Sequence, residues 1–261
     1  MTPILVIGAG RMGGALIAGW RRAGAFEPAD LMILDPAPGP EALASGARLD
    51  PDAAAIASAR TVVLVVKPQV WREAAAAVAP RLAADAVIVS IAAGVASADI
   101  AAAFGGRKVA RVMPTTAAAI DQGTASVYAA DDGARAVAHS LFAPVGTVVD
   151  LADEDQMHAA TAVSGSAPAY LYAFVEALEA AGVSLGLSQP AARALARATT
   201  AGAAALMSET GAEAADLRRQ VTSPNGTTEA ALTVLLGDGG LAPLLREAAA
   251  AAERRSRELG R

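Results

Sequence analysis

The chain contains no cysteine among its 261 residues. Disulfides, Fe–S clusters and thiolate zinc sites are therefore excluded, and an intracellular setting is the natural expectation. Aromatic residues are scarce, at 3%, and the formal net charge is −5. Nucleic-acid binders need a basic face with stacking aromatics, so no nucleic-acid partner is expected. Histidine is rarer still, with two residues. His139 and His158 fall in different predicted helices and make no paired metal motif, so no metal site is expected. Long apolar runs are also missing. Mean hydropathy is +0.40, mostly from alanine, but no run reaches the ~18 apolar residues of a spanning helix. The longest candidate, Ala86–Ala98, is interrupted by Ser90, Gly94 and Ser97. No membrane partner is expected. The N-terminus reads as a strand, with no basic region or cleavage site, so no signal peptide is expected and the cytoplasm is the expected location.

What is present is a large apolar fraction, 54%, with only 18% charged residues. That composition suits a well-packed globular protein and argues against disorder. The length is comfortable for two domains. Short, nearly all-apolar runs occur at Ile4–Ile7, Leu31–Leu34, Val62–Val66, Val87–Ile91 and Val109–Met113, with further runs at Ser126–Tyr128 and Thr147–Val149. Strands buried on both faces of a parallel sheet look like this. Helical stretches such as Arg11–Ala23, Val70–Ala79 and Asp131–Phe142 alternate with them. The alternation predicts an α/β, Rossmann-type doubly wound domain over residues 1–151. Beyond it no strand is predicted. Helices are expected near 154–162, 167–181, 190–207, 227–236 and 242–259, which makes residues 152–261 a separate all-α domain. Those helices are apolar over much of their circumference and need another surface to cover them, which predicts a homodimer.

Gly8-Ala9-Gly10-Arg11-Met12-Gly13 fits G-x-G-x-x-G in the required context, after a strand and opening a helix. The first glycine permits the tight turn, the second lets backbone approach a pyrophosphate, and the third lets helix and strand pack. The N–H groups of the helix start then face the phosphates. Asp35 ends the next strand, 22 residues on from Gly13. A carboxylate there suits the ribose hydroxyls of NADH and would repel the 2′-phosphate of NADPH. Asp-Pro is also a turn signal, and the turn reading is kept beside the ribose contact. Lys67, in Val66-Lys67-Pro68-Gln69, reads evenly as a cofactor contact or an exposed strand-end lysine. Ala92, Ala93 and Gly94 are small enough to let a nicotinamide or ribose lie against backbone at the ligand edge of the sheet.

Two motifs stand out in the helical half. In Ser164–Tyr170, Ser-Gly-Ser before Pro168 predicts a helix break and restart with Ser166 as N-cap. In Val221–Glu229, hydroxyls and a glycine turn precede the helix at Thr227. That start could hold a small carboxylate, or Thr227 and Thr228 could simply cap it; the residues weigh these equally. Neither motif carries a strong acid or base. Hydride delivery from a nicotinamide tolerates that, because the cofactor carries the hard chemistry.

Taken in order, Gly8–Gly13, Val66–Gln69, Ser90–Val95, Arg111–Pro114, Ser164–Tyr170 and Val221–Thr228 resemble the pyrroline-5-carboxylate reductase family along essentially the whole chain. The resemblance implies reduction of the cyclic imine 1-pyrroline-5-carboxylate to L-proline with NADPH or NADH, the last step of proline biosynthesis. It implies a Rossmann domain followed by a helical substrate-binding and dimerisation domain, in a homodimer that can assemble into larger rings. It places Ser223, Asn225, Gly226, Thr227 and Thr228 around the substrate, with Thr228 as the catalytic hydroxyl at the ring nitrogen. It also places Gly8, Gly10, Arg11, Met12, Gly13, Asp35, Val65, Val66, Lys67, Pro68, Ala92, Ala93 and Gly94 at the cofactor. There are departures from the family pattern. Thr115-Thr116-Ala117 replaces Asn-x-Pro, Asn225 replaces a glycine, Ala167 replaces a glycine, His158 replaces an aspartate, and Asp52 stands where an asparagine touches cofactor. A reductase of another cyclic imine or keto acid, and a dinucleotide-binding protein without turnover, are the rival readings.

Overall fold

A computed structural model describes residues 1–259. It divides into two compact units, Met1–Gly165 together with the C-terminal segment from Ala251, and Ser166–Ala250. This division differs from the sequence boundary at 151/152. The helix Gln156–Ala160 and the wide π turn Thr161–Gly165 pack with the sheet unit. Arg257 returns from the last helix to Asp155 at 2.5 and 2.8 Å, and Ser256 meets His158 at 2.9 Å.

The first unit is built on one eight-stranded sheet: β1 (Ile4–Ile7), β2 (Leu31–Leu34), β3 (Arg48–Leu49), β4 (Thr61–Leu64), β5 (Val87–Ser90), β6 (Val109–Pro114), β7 (Gly123–Tyr128) and β8 (Gly146–Asp150). Their order is β3-β2-β1-β4-β5-β6-β7-β8. The apolar runs follow from burial on both faces. Ile4 and Val6 point into one core, with Leu16, Trp20, Val63 and Phe142, while Leu5 and Ile7 point into the other, with Val62, Leu64, Trp71 and Phe104. Alternate side chains of a strand face opposite ways, so a strand with two cores needs no polar positions.

The chain runs outward from β1 to β3 and returns to β4 on the far side of β1. The sheet therefore has a switch point between β1 and β4, where an open α/β sheet leaves a crevice at its strand C-termini. Two features depart from the sequence reading. β3 was not anticipated, because its two residues are exposed and carry no apolar pattern. β7 pairs antiparallel with β6. The link between them, built around the 3-10 turn Thr116–Ile120, is too short for a parallel crossover, which takes a dozen or more residues.

The second unit has no strand among the described residues. Helices Ala167–Ser184 and Gln189–Thr210 pack as a pair, with Ala192 and Ala196 buried. Gly182 lets them approach, since a Cβ there would stand 3.0 Å from the Cβ of Ala192. Ser166 does not cap the first of them. Its backbone is already helical and its side chain makes no cap bond, because the preceding π turn winds straight into the helix. A further helix, Ala214–Gln220, went unpredicted behind the breaker Gly211. Several large apolar side chains of this unit are exposed in the single chain, including Leu171, Tyr172, Leu195, Val234 and Leu244.

Candidate active site

The glycine turn shows why each glycine stands where it does. Gly8 has φ +96°, and a Cβ there would come within 2.5 Å of the Val65 carbonyl oxygen. A Cβ on Gly13 would come within 2.3 Å of the Gly8 carbonyl oxygen. Both are required by the protein's own packing. Gly10 differs: it is exposed, its φ is −69°, and nothing lies within 4 Å of a Cβ built on it. Packing within the chain gives no reason for glycine there, whereas a phosphate resting on the backbone would. Gly10 also begins the helix Arg11–Ala23 without a side-chain cap, and among the described residues no side chain takes up the N–H groups of Arg11, Met12 and Gly13. Residues Gly10, Arg11, Gly14, Ala15, Ala18, Glu41 and Thr116 contribute to a cavity of about 530 Å³ along this helix. These are the features a dinucleotide diphosphate needs.

Asp35 lies past the end of β2. Its Oδ2 accepts from the Ala9 N–H at 2.5 Å and its Oδ1 from the Ala37 N–H at 2.8 Å. The carboxylate thus ties the glycine turn to the Pro36–Pro38 bend, and it contributes to a second cavity of about 420 Å³ with Leu34, Pro38 and Asp50. Asp52 serves as N-cap to the helix Ala53–Ser58 and pairs with Arg48 at 2.8 Å. The Ala55 N–H, assisted by Arg48, outweighs the effect of burial and holds the Asp52 carboxyl below the usual carboxylate range.

Val65, Val66, Lys67 and Pro68 follow β4, and Ala92, Ala93 and Gly94 follow β5, all at the same C-terminal sheet edge. Lys67 is exposed and enters none of the ion pairs among the described residues. Gly94 has φ +79°, the left-handed backbone that lets the segment turn back to its helix.

The hydroxyl-rich motif lies in the second unit. Gly226, not Thr227 or Thr228, is the N-cap of helix Thr227–Leu235, and it makes no side-chain cap bond. Glu229 instead reaches back to accept the Asn225 N–H at 2.7 Å. The capping explanation for the two threonines is therefore not realised. Asn225 has φ +58°, a conformation that asparagine tolerates better than most residues, so the turn survives the loss of a glycine. The Thr115 departure is local as well: its Oγ1 accepts the Thr124 N–H at 3.0 Å, inside the β6–β7 turn.

Sequence reasoning missed one cluster. Arg111, 4% exposed, donates to Glu154 Oε1 at 2.8 Å. The same carboxylate accepts the Ser97 N–H at 2.6 Å and the Ser97 hydroxyl at 2.7 Å. Burial alone would raise the Glu154 carboxyl, but the hydrogen bonds from Ser97 and Arg111 outweigh it and hold the group below the usual range. The available signal was an arginine inside the apolar run Val109–Met113. His158 meets Ser256 rather than the cluster; burial, then Arg257 and Arg111, lowers its imidazole.

Comparison with known proteins decides the family. The family model "Pyrroline-5-carboxylate reductase dimerisation" matches residues 154–259, and "NADP oxidoreductase coenzyme F420-dependent" matches residues 3–94. The pyrroline-5-carboxylate reductase of Pseudomonas aeruginosa is 42% identical, covering 99% of this chain and 97% of that protein. The chain belongs to the pyrroline-5-carboxylate reductase family. The solved pyrroline-5-carboxylate reductase of Coxiella burnetii superposes with a TM-score of 0.90 at 31% identity, over 100% of this chain and 99% of that one. That of Plasmodium falciparum, solved with NADP bound, shares the fold, with a TM-score of 0.86 at 23% identity over 100% and 98%. The family assignment accounts for both halves of the chain, the glycine turn in the first and the helical dimerisation region in the second.

Proposed function

We propose that the chain reduces 1-pyrroline-5-carboxylate to L-proline with NAD(P)H, as the last step of proline biosynthesis in the cytoplasm. Full-length relatedness to reductases of this name carries the reading. Two of the residues that depart from the family pattern, Asn225 and Thr115, have local backbone roles that leave this reading intact.

The bound nicotinamide supplies the hydride. The protein's part is to hold the acceptor. Backbone N–H groups at the start of helix Thr227–Leu235, with Ser223, Asn225, Gly226 and Thr227, bind the substrate carboxylate. Thr228 donates its hydroxyl toward the ring nitrogen and helps keep the proton there, which matters because an iminium accepts hydride better than a neutral imine. A hydroxyl is a weak acid, so Thr228 orients and relays the proton rather than generating it. Orientation of the two reactants supplies much of the rate.

NADH is the cofactor we expect the chain to prefer. Asp35 is held in place by two backbone donors, and the Pro36-Ala37-Pro38 stretch after it brings no cation to take a 2′-phosphate. The test is loss of nicotinamide absorbance with racemic pyrroline-5-carboxylate, with NADH and NADPH in separate runs. The expected kcat/KM favours NADH by about tenfold, and Asp35→Ser narrows or reverses the ratio; one repelled charge is worth about that much. Equal use of both cofactors by wild type counts against a selecting role for Asp35. Turnover with neither counts against the reductase itself.

The exposed apolar residues of the second unit support a homodimer, since a monomer rarely leaves so much apolar surface bare. Light scattering at micromolar concentration is expected to return twice the 25.9 kDa chain mass or a multiple of that dimer. A monodisperse monomer rules the dimer out.

A further inference from the structure

We infer that Glu154 is a positioning residue for hydride transfer: by holding Ser97 with both carboxylate oxygens it sets where the Ala92–Gly94 segment stands, and with it the nicotinamide ring. The inference rests on the reductase reading above.

Ser97 opens the helix Ser97–Ala103, three residues after Gly94. The segment from Ile91 to Ala96 carries no regular structure of its own, and its backbone turns through a left-handed glycine. Ala92 and Val95 anchor it in the core beside β5, and hydrogen bonds fix its course at its two ends. One end is β5, where the Ser90 hydroxyl accepts the Ala92 N–H at 3.2 Å. The other end is Ser97, whose N–H and hydroxyl both go to Glu154, 57 positions away in sequence. Arg111, buried in the strand beside β5, fixes the carboxylate in turn. A buried ion pair is poor evidence for stability, because apolar packing of the same volume generally serves as well. What this pair does that apolar packing cannot is present two acceptor oxygens to one serine in one orientation.

The test is single-turnover oxidation of pre-bound NADH on mixing with saturating pyrroline-5-carboxylate, in the full-length protein. For Glu154→Gln the rate is expected to fall about 10- to 100-fold, the effect of a small misplacement of reacting atoms. The amplitude and the Kd for NADH should change less than about threefold, since the diphosphate turn is untouched. Ser97→Ala keeps the ion pair and the backbone bond and removes one hydrogen bond; its rate should fall about three- to tenfold with full amplitude. A merely structural role predicts the opposite split, with reduced amplitude or melting temperature and an unchanged rate in the molecules that remain active. That outcome overturns the inference, as does a Ser97→Ala rate within twofold of wild type. If Glu154→Gln does not fold, Ser97→Ala decides alone. An inactive wild type that binds NADH overturns the reductase reading and this inference together, whereas an active wild type with unaffected variants overturns only the inference.

Discussion

Gly13→Ala is expected to lower the melting temperature by several degrees, whereas Gly10→Ala leaves it nearly unchanged and still weakens NADH binding at least tenfold. The contrast follows from the space each residue has. A methyl group on Gly13 would sit 2.3 Å from the Gly8 carbonyl oxygen, which real Cβ atoms do not tolerate, so helix Arg11–Ala23 must move off β1. Overpacking of this kind costs about 1–3 kcal/mol, and about 2–4 °C per kcal/mol is the usual conversion for a domain of this size. A methyl group on Gly10 meets nothing within 4 Å and demands no unusual φ. Losing a glycine N-cap costs well under about 1 kcal/mol, partly offset by a stiffer unfolded chain. Its cost appears only when a diphosphate must lie against that backbone. Thermal melting with and without NADH, together with fluorescence titration of the cofactor, reads both quantities. A Gly10→Ala protein that binds NADH as tightly as wild type removes the diphosphate from this turn.

Thr228→Ala is expected to reduce kcat/KM for pyrroline-5-carboxylate by about 10- to 100-fold while leaving the Kd for NADH and the melting temperature unchanged. A hydrogen bond to a charged group is worth about 1.5–3 kcal/mol, and each ~1.4 kcal/mol is a factor of ten in rate. The fold should not suffer, because the helix start is capped by Gly226 and by Glu229 reaching the Asn225 N–H rather than by this hydroxyl. Thr228→Ser restores a hydroxyl at the same carbon and should recover most of the activity. Steady-state rates at saturating NADH across a substrate range supply the numbers. If Thr228→Ala stays within twofold of wild type, the hydroxyl is not at the ring nitrogen.

The turn Gly8–Gly13 was legible because its constraints are local. A strand end, three glycines and a helix start within six residues leave the backbone few alternatives. The strands β1, β2, β4, β5 and β6 were legible for a similar reason, since burial on both faces leaves an unbroken apolar run. Asn225 could be read as a tolerated left-handed position, and its φ of +58° agrees. Ser166 misled, because Ser-Gly-Ser before proline is a good capping signal, yet the preceding π turn carried helical backbone straight through it. Asp35 was half legible. Its place at the end of β2 follows from the run Leu31–Leu34, but its bond to the Ala9 N–H joins residues 26 apart.

The local rules of backbone and burial, readable along the chain itself, already specify a dinucleotide turn on a parallel sheet, a helical second half and the motifs of this reductase family. Tertiary structure alone decided that β7 runs antiparallel, that the last helix returns Arg257 to Asp155 across 102 positions, and that Arg111, Glu154 and Ser97 meet. Each of these depends on which distant groups the folded core brings within hydrogen-bonding reach, and a single sequence carries no local pattern for that. An arginine in an apolar strand signals that a partner must exist, because a buried charge without one is costly. Only the packed chain shows that the partner is the carboxylate that also holds Ser97.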